Sequence, residues 1–203
     1  MKIGTTSWLI PGGYLENVKL VAEIVDFVEL LVFSFDKETR HMLKNELPEL
    51  YKISKKYGLE YTVHLPTDCI NNVEEAFNFF EESNLPILNY VAHPIDCIEP
   101  LLKKSDKISV ENLKKDILIH DRTVFDIGHH ILGMKVTKEF FENTVEFHLM
   151  GVKGDQDHLK LDKETLLLSK EYMKLMPNLK YICFEVFDLN DFLDSYNLWR
   201  ENL

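Results

Sequence analysis

Six of the chain's eight histidines fall at or just after the C-terminal end of a short apolar run, and three carboxylates fall in the same place. His64 lies in EYTVHL and His93 closes ILNYVAH. His129 and His130 follow RTVFDI, His148 lies near the end of TVEFHL, and His158 lies in the segment after it. Glu111 stands near the end of KISVEN, Asp126 near the end of RTVFDI and Glu185 near the end of KYICFEV. Imidazoles and carboxylates suit Zn, Mn, Fe or Co, and no thiolate set favours a closed structural zinc site. One ion needs about three or four protein ligands, so the inventory is enough for two or three ions. Two ions roughly 3.5–4 Å apart are an apparatus for phosphoester hydrolysis: one lowers the pKa of bound water, and both stabilise charge on the attacked and leaving oxygens.

Taken singly, each residue has a plainer role. A lone histidine at a strand end is more often structural, Glu111 or Glu185 alone is as readily half of an ion pair, and Asp126 before Ile127-Gly128 suits a turn. The set points to a metal centre because six successive strand ends, the third to the eighth, each carry such a side chain. Other candidates stay plain. His41 and His120 read as surface, Cys69 and Cys97 lack a nucleophile signature, and Phe77, Phe79 and Phe80 read as helix packing. Gly12-Gly13 is weak as a phosphate cradle. Glu29, inside the second run, faces either an ion-pair partner or the substrate.

The runs that position these residues begin at Lys2, Phe27, Glu60, Ile87, Lys107, Arg122, Thr144 and Lys180. Each is rich in β-branched and aromatic residues and bounded by polar, Gly or Pro residues, as buried strands are. Between them, apolar residues at helical spacing predict helices over Lys37–Tyr57, Asn72–Glu82, Asp162–Met176 and Asp188–Trp199. Gly58 would stop the first, and Asn72, Asp162 and Asp188 would cap the others. The gap between strands five and six leaves room for one helical turn. Strand–helix alternation implies parallel strands with crossover helices, and eight units close as a (β/α)8 TIM barrel, with an open doubly wound sheet as the alternative. All strand ends of such a barrel open on one face, where barrel active sites are built.

The chain has 203 residues and a net charge of -11, with 45% hydrophobic residues, which suits one domain spanning 1–203. The acidic balance argues against a protein that grips nucleic-acid backbone, and no apolar run is long enough to span a bilayer. Three cysteines without a CxxC pair, and no signal peptide, suggest the reducing cytoplasm, with thiols packed as small hydrophobes.

The spacing of the ligand-type residues resembles the xylose-isomerase-like barrel superfamily, including the endonuclease IV group. That resemblance implies a trinuclear site drawing on His64, His93, Glu111, Asp126, His129, His148, His158 and Glu185. Gln156 occupies the place of the expected loop aspartate, shifting that ligand to Asp155 or Asp157, with Asp157 preferred. A further resemblance runs through nearly the whole chain: IGTTSW, VELLVF, TVHLPTD, VENL, DIGHH, HLMGVKGDQDHLKL and FEVFDLNDF are similar to the cobamide-remodelling phosphodiesterase family. It implies hydrolysis of the phosphodiester between the corrinoid's aminopropanol linker and the α-riboside of the lower ligand, for corrinoid salvage, with a small-molecule corrinoid as the partner. Glu111, Asp126, His148 and Glu185 then form the central site, His64 and His93 lean towards a second ion, and His129 and His158 towards a third. Glu111 or Glu185 would accept the water's proton, a metal-bound water or a free histidine such as His130 would protonate the leaving group, and Glu29 and Asn112 would contact substrate. The rivals on the same barrel are a sugar or sugar-phosphate isomerase, an abasic-site nuclease, and a binding protein without turnover.

Overall fold

The computed structural model describes residues 1–202. Ten strands form: β1 (Lys2–Thr6), β2 (Phe27–Leu31), β3 (Glu60–His64), β4 (Ile87–Ala92), β5 (Ile108–Glu111), β6 (Thr123–Asp126), β7 (Thr144–Leu149), β8 (Gly151–Lys153), β9 (Gln156–Leu159) and β10 (Tyr181–Phe184). Eight of them close into a parallel barrel in the order β1-β10-β7-β6-β5-β4-β3-β2, while β8 and β9 pair antiparallel as a separate ribbon. Each apolar run of the sequence supplies one barrel strand.

The helices are α1 (Tyr14–Val21), α2 (Lys37–Tyr57), α3 (Ile70–Glu81), α4 (Glu99–Leu102), α5 (Ile127–Leu132), α6 (Lys138–Glu142), α7 (Lys163–Met173) and α8 (Leu189–Arg200). Side-chain caps start several of them. Asp36 accepts from the Thr39 amide at 2.8 Å, Asp162 from Thr165 at 2.8 Å, and Asp188 from Asn190 and Asp191. Each satisfies an amide that the first turn leaves open. Gly58 ends α2 in the left-handed region at φ 70, which suits a residue without Cβ.

Four local expectations are corrected. α3 begins at Ile70, so Asn72 lies inside its first turn instead of capping it, and Cys69 takes the cap position without a side-chain bond. Among the described residues no helix lies between β5 and β6, where the segment bonds back on itself through Leu113 N–H to Asp116 O. The region after β7 is the β8–β9 ribbon, not an open loop. Cys69 and Cys97 are exposed, and Cys183 alone packs inside.

The strands alternate as their period of two requires. Outward residues such as Phe125, Phe147 and Phe184 are fully buried beneath the helices. Inward residues are polar instead of the Val, Ile and Leu usual in such barrels. Asn89 of β4 donates across the interior to Glu146 of β7 at 2.7 Å, and Ser109 of β5 donates to Asn89 at 2.7 Å. Thr62 of β3 donates to Glu29 of β2 at 3.1 Å. A buried carboxylate without partners is costly, so these bonds explain how a polar interior is tolerated.

Candidate metal centre

At the C-terminal mouth of the barrel three groups of ligand-type side chains meet: His64, His93 and Glu111; Glu111, Asp126, His148 and Glu185; and His129, Asp157 and His158. Within each group the ligand atoms lie within 4.8 Å of one another. Glu111 belongs to two groups. Its Oε2 lies 3.2 Å from His64 Nε2 and 3.0 Å from His93 Nε2, and its Oε1 lies 3.1 Å from His148 Nδ1. The Nδ1 atom of His148 also lies 3.2 Å from Glu185 Oε2.

Backbone contacts decide which histidine nitrogen faces the mouth. A carbonyl can only accept, so a ring nitrogen bonded to one must carry the proton. His64 Nδ1 meets Leu65 O at 3.1 Å, His129 Nδ1 meets Asn112 O at 2.9 Å, and His158 Nδ1 meets Glu185 O at 3.2 Å. All three therefore turn Nε2 to the mouth, and in the neutral ring that nitrogen carries the lone pair, the arrangement typical of metal-ligating histidines. His64 Nε2 faces Glu111 Oε2 and holds a proton that an ion would displace. His148 is reversed: Nδ1 faces Glu111 and Glu185, and Nε2 lies 3.5 Å from Glu29 Oε1, deeper in the barrel.

Asp126 is positioned from three sides. As N-cap of α5 its Oδ1 accepts from the His129 amide at 2.5 Å, which brings the His129 ring back to the mouth. Asn112 clamps its backbone, donating from Nδ2 to Asp126 O at 3.0 Å and accepting the Asp126 amide at 2.8 Å. Gly128 makes room for the third group, because a Cβ there would stand 2.7 Å from Asp157 Cβ. The ribbon delivers Asp157 and His158, the latter at φ 57. Asp155 is exposed in the ribbon's turn, so Asp157 is the aspartate brought to His129 and His158.

The electrostatics are those of imidazoles and carboxylates packed close together in a buried cluster. Burial alone would lower the pKa of His148, yet Glu29, Glu185 and Glu111 hold it well above the usual value. His64 is likewise raised to about 9, against its burial, by Glu111 above all. Burial would raise Glu111, but His148, His64 and His93 hold it well below the carboxylate range. Glu185 is lowered to about 2 against burial, mainly by His148. Asp126 goes the other way: burial, then Glu185 and Glu111, push it well above its usual value. Asp126 Oδ2 is buried and has no hydrogen-bond partner among the described residues. An unpaired buried carboxylate oxygen, aimed into a nest of N and O donors, fits a divalent cation of the Zn, Mn, Fe or Co kind.

Three residues singled out from their place in the sequence lie apart from these groups. His130 faces away from the mouth, among Phe125, Phe141 and Tyr172, with Nδ1 accepting the Val136 amide at 3.2 Å. Burial, with help from Lys135, lowers its pKa to about 4. Asn112 and Glu29 are wholly buried, the first holding Asp126 and the second behind His148, so neither is open to a substrate. Sequence reasoning missed Lys114, whose Nζ pairs with Asp157 Oδ2 at 2.7 Å, and Glu146, which burial and Glu29 raise to about 8. Glu146 was visible as the inward residue two before His148. Lys114 had no signal, because its partner arrives on the ribbon.

No helix among the described residues is long and apolar enough to cross a membrane. No protein-family model matches the chain, and no curated protein matches it. A solved structure described as "The crystal structure of AsfvAP:AG" is similar to this chain with a TM-score of 0.60 and 10% sequence identity, over 99% of this chain and 97% of that one. At that identity the likeness is one of fold, and the fold it shares is the closed barrel.

Proposed function

We propose that the protein is a divalent-metal-dependent phosphodiesterase on a xylose-isomerase-like barrel. Its proposed reaction is hydrolysis of the nucleotide-loop phosphodiester of cobamides to a cobinamide phosphate and an α-riboside. The observation that carries the hydrolase reading is the merging of three ligand groups at one barrel mouth, two of them sharing Glu111. The corrinoid substrate rests on the sequence motifs.

Glu111, Asp126, His148 and Glu185 would hold a central ion, His64 and His93 with Glu111 a second, and His129, Asp157 and His158 a third. Ions so held supply an acidified water and neutralise charge on phosphoryl oxygens. The protein's own part is to fix the donors and to move a proton. Glu185 is better placed than Glu111 to accept one: it is 5% exposed against 1%, and Glu111 is enclosed by His64, His93 and His148. His148 must be neutral to act as a ligand, and losing its charge removes the main cause of Glu185's acidity. His130, turned away, leaves the leaving group to be protonated from solvent or by another group at the mouth.

One observation favours a second reading. Glu111, Asp126, His148 and Glu185 are by themselves a complete four-ligand site, as a one-metal sugar or sugar-phosphate isomerase would use. His64, His93, His129, Asp157 and His158 have no use in it.

Incubation of Mn- or Co-loaded protein with adenosylcobalamin, with chromatography and mass detection, tests the proposal. The expected products are α-ribazole and phosphorylated cobinamide, with two or three ions per chain by elemental analysis. Absence of α-ribazole from fully loaded protein overturns the cobamide assignment. A single bound ion with aldose–ketose interconversion would establish the isomerase instead.

A further inference from the structure

Strands β3 to β7, β10 and the ribbon supply the three ligand groups at the mouth, whereas β1 supplies none and β2 only Glu29, which sits deeper, with Glu146 behind His148. On that side of the mouth the chain exposes large aromatic rings. Trp8 follows β1, Phe33 follows β2 and Phe187 follows β10, and these three strands are neighbours in the barrel. Trp8 is 48% exposed, Phe33 38% and Phe187 36%. Their rings form one cluster, with centroids 4.7 Å apart for Trp8 and Phe33 and 6.1 Å for Trp8 and Phe187. The cluster also touches the metal groups on both flanks. Phe187 stacks on His158 at 4.7 Å and 24°, and Phe33 lies 6.2 Å from His64.

We propose that Trp8, Phe33 and Phe187 form a stacking platform for a planar, uncharged heteroaromatic substituent of the substrate. This rests on the phosphodiesterase reading for its occupant, and it names the part of the substrate that the metal ligands do not touch. Contiguous exposed aromatic surface is uncommon on a folded chain and marks binding sites. Trp8 and Phe187, with Ile10, Pro11 and Gly12, also line a cleft of about 450 Å³, within the ~300–1,000 Å³ of small-molecule sites. The charged group beside those five residues, the Glu16 carboxylate next to Gly12, would repel an anionic substituent, and none of the five is itself charged. Apart from the Trp8 indole N–H, their side chains hold no hydrogen-bonding group, so a bare sugar would leave its hydroxyls unmatched. A flat π-system needs only ring faces, which is why aromatic platforms hold bases without reading their edges. A phosphodiester at the metal groups has two substituents, and the one crossing β1, β2 and β10 meets these rings.

The platform can be read directly, because the chain has two tryptophans and Trp199 is 1% exposed. Zn-loaded protein is titrated with α-ribazole, with adenosine, and with ribose 5-phosphate, following tryptophan fluorescence. A saturable change with the two nucleosides and none with ribose 5-phosphate is expected. In Phe187→Ala and Phe33→Ala the dissociation constant should rise about fivefold or more, since base stacking is worth ~1–3 kcal/mol. Trp8→Ala should lose binding by calorimetry and Trp8→Phe should regain most of it, with far-UV circular dichroism confirming the fold. Equal responses to all three ligands, or unchanged affinities in the alanine variants, overturn the platform. Nucleoside binding without adenosylcobalamin cleavage leaves the platform standing and removes the cobamide reaction. Cleavage with an unaltered KM in Trp8→Ala and Phe187→Ala removes the platform alone.

Discussion

Asp126 serves two tasks with two oxygens. Oδ1 caps α5 and Oδ2 is left unpaired inside the mouth. Asn is as good an N-cap as Asp, so Asp126→Asn should keep α5 and the fold while removing the anionic ligand. Turnover should fall at least ~100-fold in Asp126→Asn and in Glu185→Gln, beyond the ~10–100-fold that losing a mere outer partner of a metal ligand costs. Steady-state assay beside a circular dichroism spectrum checks this, and full activity in either variant would remove the metal-hydrolase reading. The histidines predict a second behaviour. His148 and His64 are raised, the latter to about 9, so at neutral pH both carry protons that an ion must displace. Metal binding should therefore release protons, and affinity should climb as pH rises towards 9. Calorimetry in two buffers of different ionisation enthalpy measures the count, and identical heats in both would contradict it. These ligands were legible as imidazoles and carboxylates breaking apolar runs at their ends. The roles of Asn112 and Glu29 were not, because a buried polar residue looks the same in sequence whether it meets substrate or a neighbouring backbone.

Among the elements, barrel strands were easier to read than what joins them. A fully buried strand is a short apolar run between polar breaks, and every one of the eight was visible as such. The joins depend on contacts distant in sequence. The β8–β9 ribbon did carry a local signal, the Gly154-Asp155 pair between Lys153 and Gln156, with Gly154 at φ 65. The helical turn expected between β5 and β6 is replaced by a segment that packs under α5, where Lys114 O accepts the Met134 amide at 2.9 Å. The ribbon reaches the barrel through Gly128 of α5, and that contact is testable. Gly128→Ala would place a methyl group 2.7 Å from Asp157 Cβ and 2.9 Å from Met150 Sδ. The ribbon must move away, so one ion per chain should be lost and the others retained, as elemental analysis after dialysis would show. Unchanged stoichiometry would mean that the ribbon's ligands are not used. A cost of ~1–3 kcal/mol in stability is expected from the same overpacking.

At the scale of the molecule, the barrel interior concentrates negative charge. Glu29, Glu111, Asp126, Glu146 and Glu185 are all buried there, in a chain already at -11. His64 and His148 answer part of that charge, and divalent ions would answer more. Loading should therefore stabilise the whole fold: an ion at a hundred times its dissociation constant adds ~2.7 kcal/mol. For a chain of this size that is ~5–11 °C in Tm. Thermal melts with metal and with chelator give the difference, and coincident melts would show that the interior is balanced without ions. The two kinds of ligand are also anchored differently. Those on barrel strands are fixed by the sheet itself, whereas Asp157 and His158 stand on the ribbon, which shares no ladder with it. The mouth is thus a permanent fixture plus a detachable one. A deletion confined to that short ribbon would remove Asp157 and His158 together and leave the ladders of all eight barrel strands, with the ligand-type residues they carry, untouched.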